Sequence, residues 1–189
     1  MGDAGADQLI GGDGFDIALY NLSSSGLTVS LTNPSLNTGE AAGDTYSSIE
    51  GILGSAFNDL LIGDVNNNRL IGNNGNDVLD GGGGGFDVYD GGAGFDTVRF
   101  TAATAGVTAN LATGAGGGAA AGSAFLNIES IIGSKFNDTL IGNAGNNLFV
   151  GGAGGDFING GDGFDTVSFA DATAAVTAGV FSGGSGGEA

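Results

Sequence analysis

Residues 133–168 read GSKFNDTLI GNAGNNLFV GGAGGDFIN GGDGFDTVS, four consecutive groups of nine. Asp138, Asn147, Asp156 and Asp165 hold the sixth place, and Leu140, Phe149, Ile158 and Val167 the eighth. A fixed short period decides the architecture before any strand or helix is assigned. The same division from Gly54 gives GSAFNDLLI, GDVNNNRLI and GNNGNDVLD, then, after one extra glycine at Gly81, GGGGFDVYD and GGAGFDTVR. Asp59, Asn68, Asp77, Asp87 and Asp96 take the sixth place there. Near the start, GDAGADQLI and GGDGFDIAL put Asp7 and Asp16 in it as well.

Six residues rich in Gly and Asn and ending in Asp suit a turn that needs positive φ. The three that follow, such as Thr-Leu-Ile, suit a short strand. A turn and a strand every nine residues make half a coil, so 18 residues complete one turn of an all-β solenoid and alternate groups stack on the same side. Stacking brings Asp59 to Asp77, Asp138 to Asp156 and Asn147 to Asp165. Gly81 stretches the step to 19, pairing Asp77 with Asp96 and Asn68 with Asp87. Side chains alternate between strand faces, so that extra residue must be absorbed in a turn or the strand is turned inside out.

The chain of 189 residues carries 42 Gly, one Pro and 12 Phe, and its 41% hydrophobic content is too high for a disordered tail. Three basic residues stand against 21 acidic ones, a net charge of −18. That balance excludes nucleic acid and anionic membranes as partners and leaves a compact fold to repel itself unless cations intervene. No Cys and no His are present, which removes disulfides, thiolate sites and the usual residue for zinc and for acid/base chemistry near neutral pH. No apolar run is long enough for a membrane span, and MGDAGADQLI lacks the basic, apolar profile of a signal peptide.

Nonapeptide clusters at 2–19, 54–99 and 133–168 are joined by blocks 20–53, 100–132 and 169–189, and 1–189 reads as one continuous repetitive domain. The blocks resemble one another. Each places an aromatic four residues after an Asp (Tyr20, Phe100, Phe169) and then an alternating strand: Leu27-Val29-Leu31, Val107-Ala109-Leu111 or Val176-Ala178-Val180. The apolar slot is expected to continue at spacing nine, from Val98 to Val107 and from Val167 to Val176. The phenylalanines beside the turns (Phe15, Phe57, Phe86, Phe95, Phe136, Phe164) are expected to cap the interior. The larger repeat spans about 80 residues, Phe15 to Phe95 and Phe57 to Phe136, so the chain reads as a fragment of a longer repetitive protein.

The nonapeptides resemble the G-G-x-G-x-D-x-U-x units of RTX (repeats-in-toxin) calcium-binding proteins, directly over roughly half of the chain. The resemblance implies a right-handed parallel β-roll interrupted by longer Gly/Ala-rich loops, with several calcium ions as cofactors and partners. Calcium takes hard oxygen ligands from carboxylates and backbone carbonyls. The candidate ligands are Asp7, Asp16, Asp59, Asp77, Asp87, Asp96, Asp138, Asp156 and Asp165, with Asn68 and Asn147, and the carbonyls of Gly12, Gly14, Gly92, Gly94, Gly152, Gly154, Gly161 and Gly163. Counting back nine from Asp59 and Asp138 lands on Glu50 and Glu129. Either these share edge sites with Asn68 and Asn147, or they are solvated loop charges. The family implies secretion by a type I system and folding outside the cell, at the surface or free, with neighbouring domains in a longer chain. A noncatalytic role follows, because regularly repeated carboxylates suit one structural job and no singular site stands out. Two alternatives remain: an adhesive or ice-binding solenoid, at which Asn66, Asn67, Asn73 and Asn74 hint, and the noncatalytic tail of a secreted protease, lipase or epimerase.

Overall fold

The computed structural model describes residues 2–170 and 172, and the alternating strand expected at Val176, Ala178 and Val180, with its slot residue Val176, lies outside them. The described residues wind through 18 short strands. The first coils carry β1 (Gln8–Ile10), β2 (Ile17–Leu19), β3 (Thr28–Ser30), β4 (Thr45–Ser47), β5 (Gly51–Leu53) and β6 (Leu60–Ile62). Then come β7 (Arg69–Asn74), β8 (Val78–Asp80), β9 (Val88–Ala93) and β10 (Thr97–Arg99). The second block supplies β11 (Val107–Asn110), β12 (Ala115–Gly118), β13 (Ala124–Leu126) and β14 (Ser130–Ile132). β15 (Thr139–Ile141), β16 (Leu148–Val150), β17 (Phe157–Asn159) and β18 (Thr166–Ser168) finish the last cluster.

Strands of successive half-coils fall alternately into a nine-stranded sheet, β17-β15-β11-β12-β13-β9-β7-β5-β2, and a seven-stranded sheet, β18-β16-β14-β10-β8-β6-β3, with β1 and β4 forming a separate parallel pair. All pairings except those of β12 are parallel. This is the solenoid that the period of nine predicts and the parallel β-roll that the resemblance implies, with blocks 20–53 and 100–132 as the interruptions.

Between the sheets lies a layer one residue thick on each side. Val29, Leu61, Leu79, Val98, Ile131 and Phe149 form one fully buried row. Ala18, Ile52, Leu70, Tyr89, Phe125, Ala109 and Leu140 form the other. Eighth-place residues fill these rows, joined by Val29, Ala109 and Phe125 from the blocks, and their neighbours on either side point outward because side chains alternate along a strand.

The extra glycine leaves the registers intact: Leu70 faces Tyr89 and Leu79 faces Val98. Gly81 itself keeps the first place, since its carbonyl lies over Gly63 as that of Gly91 lies over Gly72. Gly82, Gly84 and Gly85 then face Asp64, Val65 and Asn66, and Gly83, which faces Ala102 instead, is the residue that bulges. Gly83 has φ 90°, with Gly82 and Gly85 at 86° and 79°, so the bulge uses backbone conformations that a side chain would strain.

Blocks 20–53 and 100–132 each reverse the coil order locally. In the second, β10 leads to β11, the chain returns through antiparallel β12, and β13 inserts beside β9. Ala109, not Val107, is in register with Leu140, so the apolar slot is delayed beyond spacing nine by a longer turn, although both residues are buried. In the first block the corresponding gap between β3 and β4 holds no strand. Asn37 fills it: Ser30 N–H donates to Asn37 Oδ1 at 2.7 Å, and Asn37 Nδ2 donates to the Asp44 carbonyl at 3.0 Å.

The phenylalanines beside the turns do not cap the interior. Phe15, Phe57, Phe86, Phe95 and Phe164 are 40 to 79% exposed and Phe136 is half-buried, because they stand at the fourth or fifth place, in the turn, while the core is filled from the eighth. The buried aromatics are Tyr20, Phe100 and Phe125 of the blocks and the slot residues Tyr89 and Phe149; Phe125 stacks on Tyr89 at 5.6 Å between centroids, with Phe100 edge-on to both at 6.0 Å. Phe169, the third block aromatic, is exposed.

Candidate metal centre

The sixth-place side chains form two ladders, one along each edge of the roll where a turn enters a strand. On the edge leading into the seven-stranded sheet, Asp59 N–H donates to Asp77 Oδ1, Asp77 N–H to Asp96 Oδ1 and Asp96 N–H to Glu129 Oε2, at 2.8, 2.8 and 2.9 Å. Leu27 N–H enters that ladder on Asp59 Oδ1, and Asn147 N–H continues it on Asp165 Oδ1. On the opposite edge Asp16 N–H donates to Glu50 Oε2, Asn68 N–H to Asp87 Oδ1, Val107 N–H to Asp138 Oδ1 and Asp138 N–H to Asp156 Oδ1. One carboxylate oxygen per coil thus satisfies the backbone of the coil beneath it. The pairs expected from the 18- and 19-residue steps are the ones brought together.

Glu50 and Glu129 stand in these ladders, so neither is a solvated loop charge. Their carboxylates reach Asp16 and Asp96; Asn68 and Asn147 touch the glutamates only through the backbone, each Nδ2 donating to the Glu carbonyl at 3.3 and 3.2 Å. Two ladder members escape a reading by nines. Asp44 sits over Asp7, whose N–H it accepts at 2.8 Å, and Ser123 Oγ accepts from Asp87 N–H at 3.1 Å. The signal for Asp44 was the triplet Asp44-Thr45-Tyr46, which repeats Asp96-Thr97-Val98 but falls too close to Glu50 for the period.

The second oxygen of each carboxylate decides what the turns bind. Asp7, Asp16, Asp77 and Asp96 each bury Oδ2 with no hydrogen-bond partner. Asp77 and Asp96 are 1% and 0% exposed. A buried ionised oxygen without a partner is costly, and a cation is the partner it lacks. The space beside it is kept open by the first-place glycine: a methyl group on Gly72 would meet Asp77 Oδ2 and, at 2.5 Å, the carbonyl oxygen of Gly91, and one on Gly91 would meet Asp96 Oδ2 at 2.6 Å and the Asn127 carbonyl. Hard oxygens from a carboxylate and from a neighbouring coil converge there, the donor set that calcium prefers. Among the described residues no three acidic side chains gather at one point, so an ion here draws on backbone carbonyls as much as on carboxylates. The glycines named as carbonyl ligands, Gly12, Gly14, Gly92, Gly94, Gly152, Gly154, Gly161 and Gly163, all hold φ between 93° and 155° within these turns.

Burial raises the pKa of several ladder carboxylates. It pushes Asp77 up to about 7 and Asp87 up to about 6, against the lowering effect of backbone hydrogen bonds from Asp59 and Asn68, and raises Asp59, Asp96 and Asp156 in the same way. Only Arg99 forms an ion pair among the described residues, Nε to Asp80 Oδ2 at 2.9 Å across neighbouring strands. The ladders therefore have no basic side chains to neutralise them.

A second set of ladders, which the sequence reading did not identify, runs through the fifth place. Asn76 N–H donates to Asn58 Oδ1, Phe95 N–H to Asn76 Oδ1, Phe86 N–H to Asn67 Oδ1, and Gly155 and Phe164 N–H to Asn137 and Asn146. The amides of Asn66 and Asn73 bond Asp64 and the Ser55 carbonyl. Three of the four asparagines that hinted at an ice-binding array, Asn66, Asn67 and Asn73, are thus engaged in holding turns together.

A parallel roll whose coil edges carry buried, cation-seeking carboxylates against backbone carbonyls defines a metal-binding repeat solenoid. The family model described as the RTX calcium-binding nonapeptide repeat matches the chain in four copies, at residues 1–18, 53–85, 82–98 and 132–167. These cover more than half of the sequence, and the chain belongs to that family. No curated protein matches it. No helix among the described residues is long and apolar enough to cross a membrane.

Proposed function

We propose that this chain is the calcium-loaded, noncatalytic β-roll module of a bacterial protein exported by a type I system, which folds when it meets calcium outside the cell. The observation that carries the reading is the pair of buried, unpartnered oxygens on Asp77 and Asp96, each beside a carbonyl of the next coil. A core of one apolar residue in nine is thin for a chain of such high glycine content, and a net charge of −18 opposes compaction. Ions bridging successive coils supply the attraction and couple binding to folding, so the chain stays unfolded where calcium is scarce. Circular dichroism in chelator against millimolar calcium tests this: the β-sheet signal is expected only with calcium, and a signal unchanged in chelator rules the mechanism out.

A further inference from the structure

Resting on that calcium-binding reading, we propose that the turns of this roll are of two kinds and that calcium is taken only at the open kind, in which the second residue leaves the carboxylate free, as it does around Asp7, Asp16, Asp77 and Asp96. The turns ending in Asp59, Asn68, Asp138 and Asn147 match the same repeat yet are calcium-silent, held by their own hydrogen bonds.

What closes a turn is its second residue. Ser55 N–H donates to Asp59 Oδ2 at 2.5 Å and Ser55 Oγ donates to Oδ1 at 2.9 Å; Ser134 does the same to Asp138 at 2.6 and 2.8 Å. With Leu27 and Val107 N–H also on Oδ1, both oxygens of each carboxylate are committed. The serine hydroxyls in turn accept from Phe57 and Phe136 N–H. On the opposite edge of the same coils the sixth residue is a neutral amide, and Asn68 and Asn147 Oδ1 accept from Asp64 and Asn143 N–H at 2.8 and 2.9 Å. An ion placed at any of these would have to strip buried N–H groups of their acceptor. In the open turns no second-residue N–H reaches the carboxylate: Gly12, Asn73 and Gly92 hold φ 94°, 85° and 94°, and Oδ2 is left bare. Asn73 further seals the boundary by donating to the Ser55 carbonyl at 2.8 Å, which removes that oxygen from any ion between the two coils.

The closed turns are placed systematically. Residues 54–71 and 133–150 form the first full coil of their clusters, and the turns with second-place φ near 90°, at Asn73, Gly92, Gly152 and Gly161, follow them. The clusters at 54–99 and 133–168 therefore each begin on a metal-free coil, already satisfied internally, on which coils with the open second-place geometry stack.

Native mass spectrometry of the calcium-saturated chain counts its ions. Asp77→Asn and Asp96→Asn are expected to carry fewer ions than the wild type, while Asp59→Asn and Asp138→Asn keep the full count and lose only thermal stability. Loss of an ion from Asp59→Asn or Asp138→Asn overturns the division. If either fails to fold, Ser55→Ala and Ser134→Ala, which remove only the hydroxyls, decide by the same count: a full complement supports closed turns and a reduced one overturns them. A wild-type chain that binds no calcium refutes the underlying function instead, a distinct result.

Discussion

At the scale of single residues, the first-place and second-place glycines do different work. Gly72 has ordinary backbone geometry, and its missing side chain is the space that Asp77 Oδ2 and the Gly91 carbonyl share. Gly12 faces open space but holds φ 94°. Gly72→Ala is therefore expected to lower the stability of the calcium-loaded protein by about 2–3 kcal/mol and to weaken calcium binding, because the methyl group invades the cradle. Gly12→Ala is expected to cost about 1 kcal/mol, from backbone strain alone, with binding of the other ions unchanged. Thermal unfolding and calcium titration of the two variants separate them; equal losses in both measurements would contradict the distinction. Tyrosine supplies a third way of satisfying a ladder carboxylate: Tyr89 hydroxyl donates to Asp87 Oδ2 at 3.1 Å and Tyr20 hydroxyl to Asp44 Oδ2 at 2.6 Å. Burial raises both tyrosines well above their ordinary value, so they remain donors.

At the scale of elements, the two blocks solve one problem differently. Each must leave the coil and re-enter it one strand back, which opens a gap in a sheet. Block 100–132 fills its gap with β12, whereas block 20–53 uses one buried side chain, Asn37. Asn37→Ala leaves the Ser30 N–H and the Asp44 carbonyl without partners and is expected to destabilise the calcium-loaded chain by about 2–3 kcal/mol. The loss should concentrate on β3 and β4, read as faster amide exchange there than in β15 and β16; uniform exchange would argue against a local bridge. The strands themselves were legible because the eighth place repeats. The exits were less so, since Val107 and Ala109 are both apolar and alternate correctly, and only pairing with β15 selects Ala109 as the slot.

At the scale of the molecule, charge and burial oppose each other along the whole roll. Burial lifts Asp77 to about 7 and Asp87 to about 6, so both bind a proton more tightly folded than unfolded. Groups shifted upward contribute their full stability below the ordinary carboxylate value of about 4 and lose it as pH rises through the folded value. The calcium-free chain is thus expected to gain order on acidification from about pH 8 to about pH 5, by on the order of 2–4 kcal/mol. Circular dichroism in chelator measures this, and a sheet content that falls or stays flat on acidification would contradict it. Protons and calcium neutralise the same buried oxygens, so acid is also expected to weaken calcium binding.

The period of nine was enough, by itself, to establish a solenoid, its 18-residue coil and which sixth-place residues meet, because register between stacked strands follows directly from a repeated length. It could not show which carboxylates are free to take an ion. That depends on whether a second-place N–H turns toward the sixth-place oxygen. Asn73 and Asn143 carry the same side chain at the same place, yet one leaves Asp77 bare and the other closes Asn147. Nor could the period place Asp44, Ser123 or Asn37, which reach the ladders and the gap from loops of irregular length. Such contacts come from folding distant segments together, and only the stacked coils bring them within hydrogen-bonding distance.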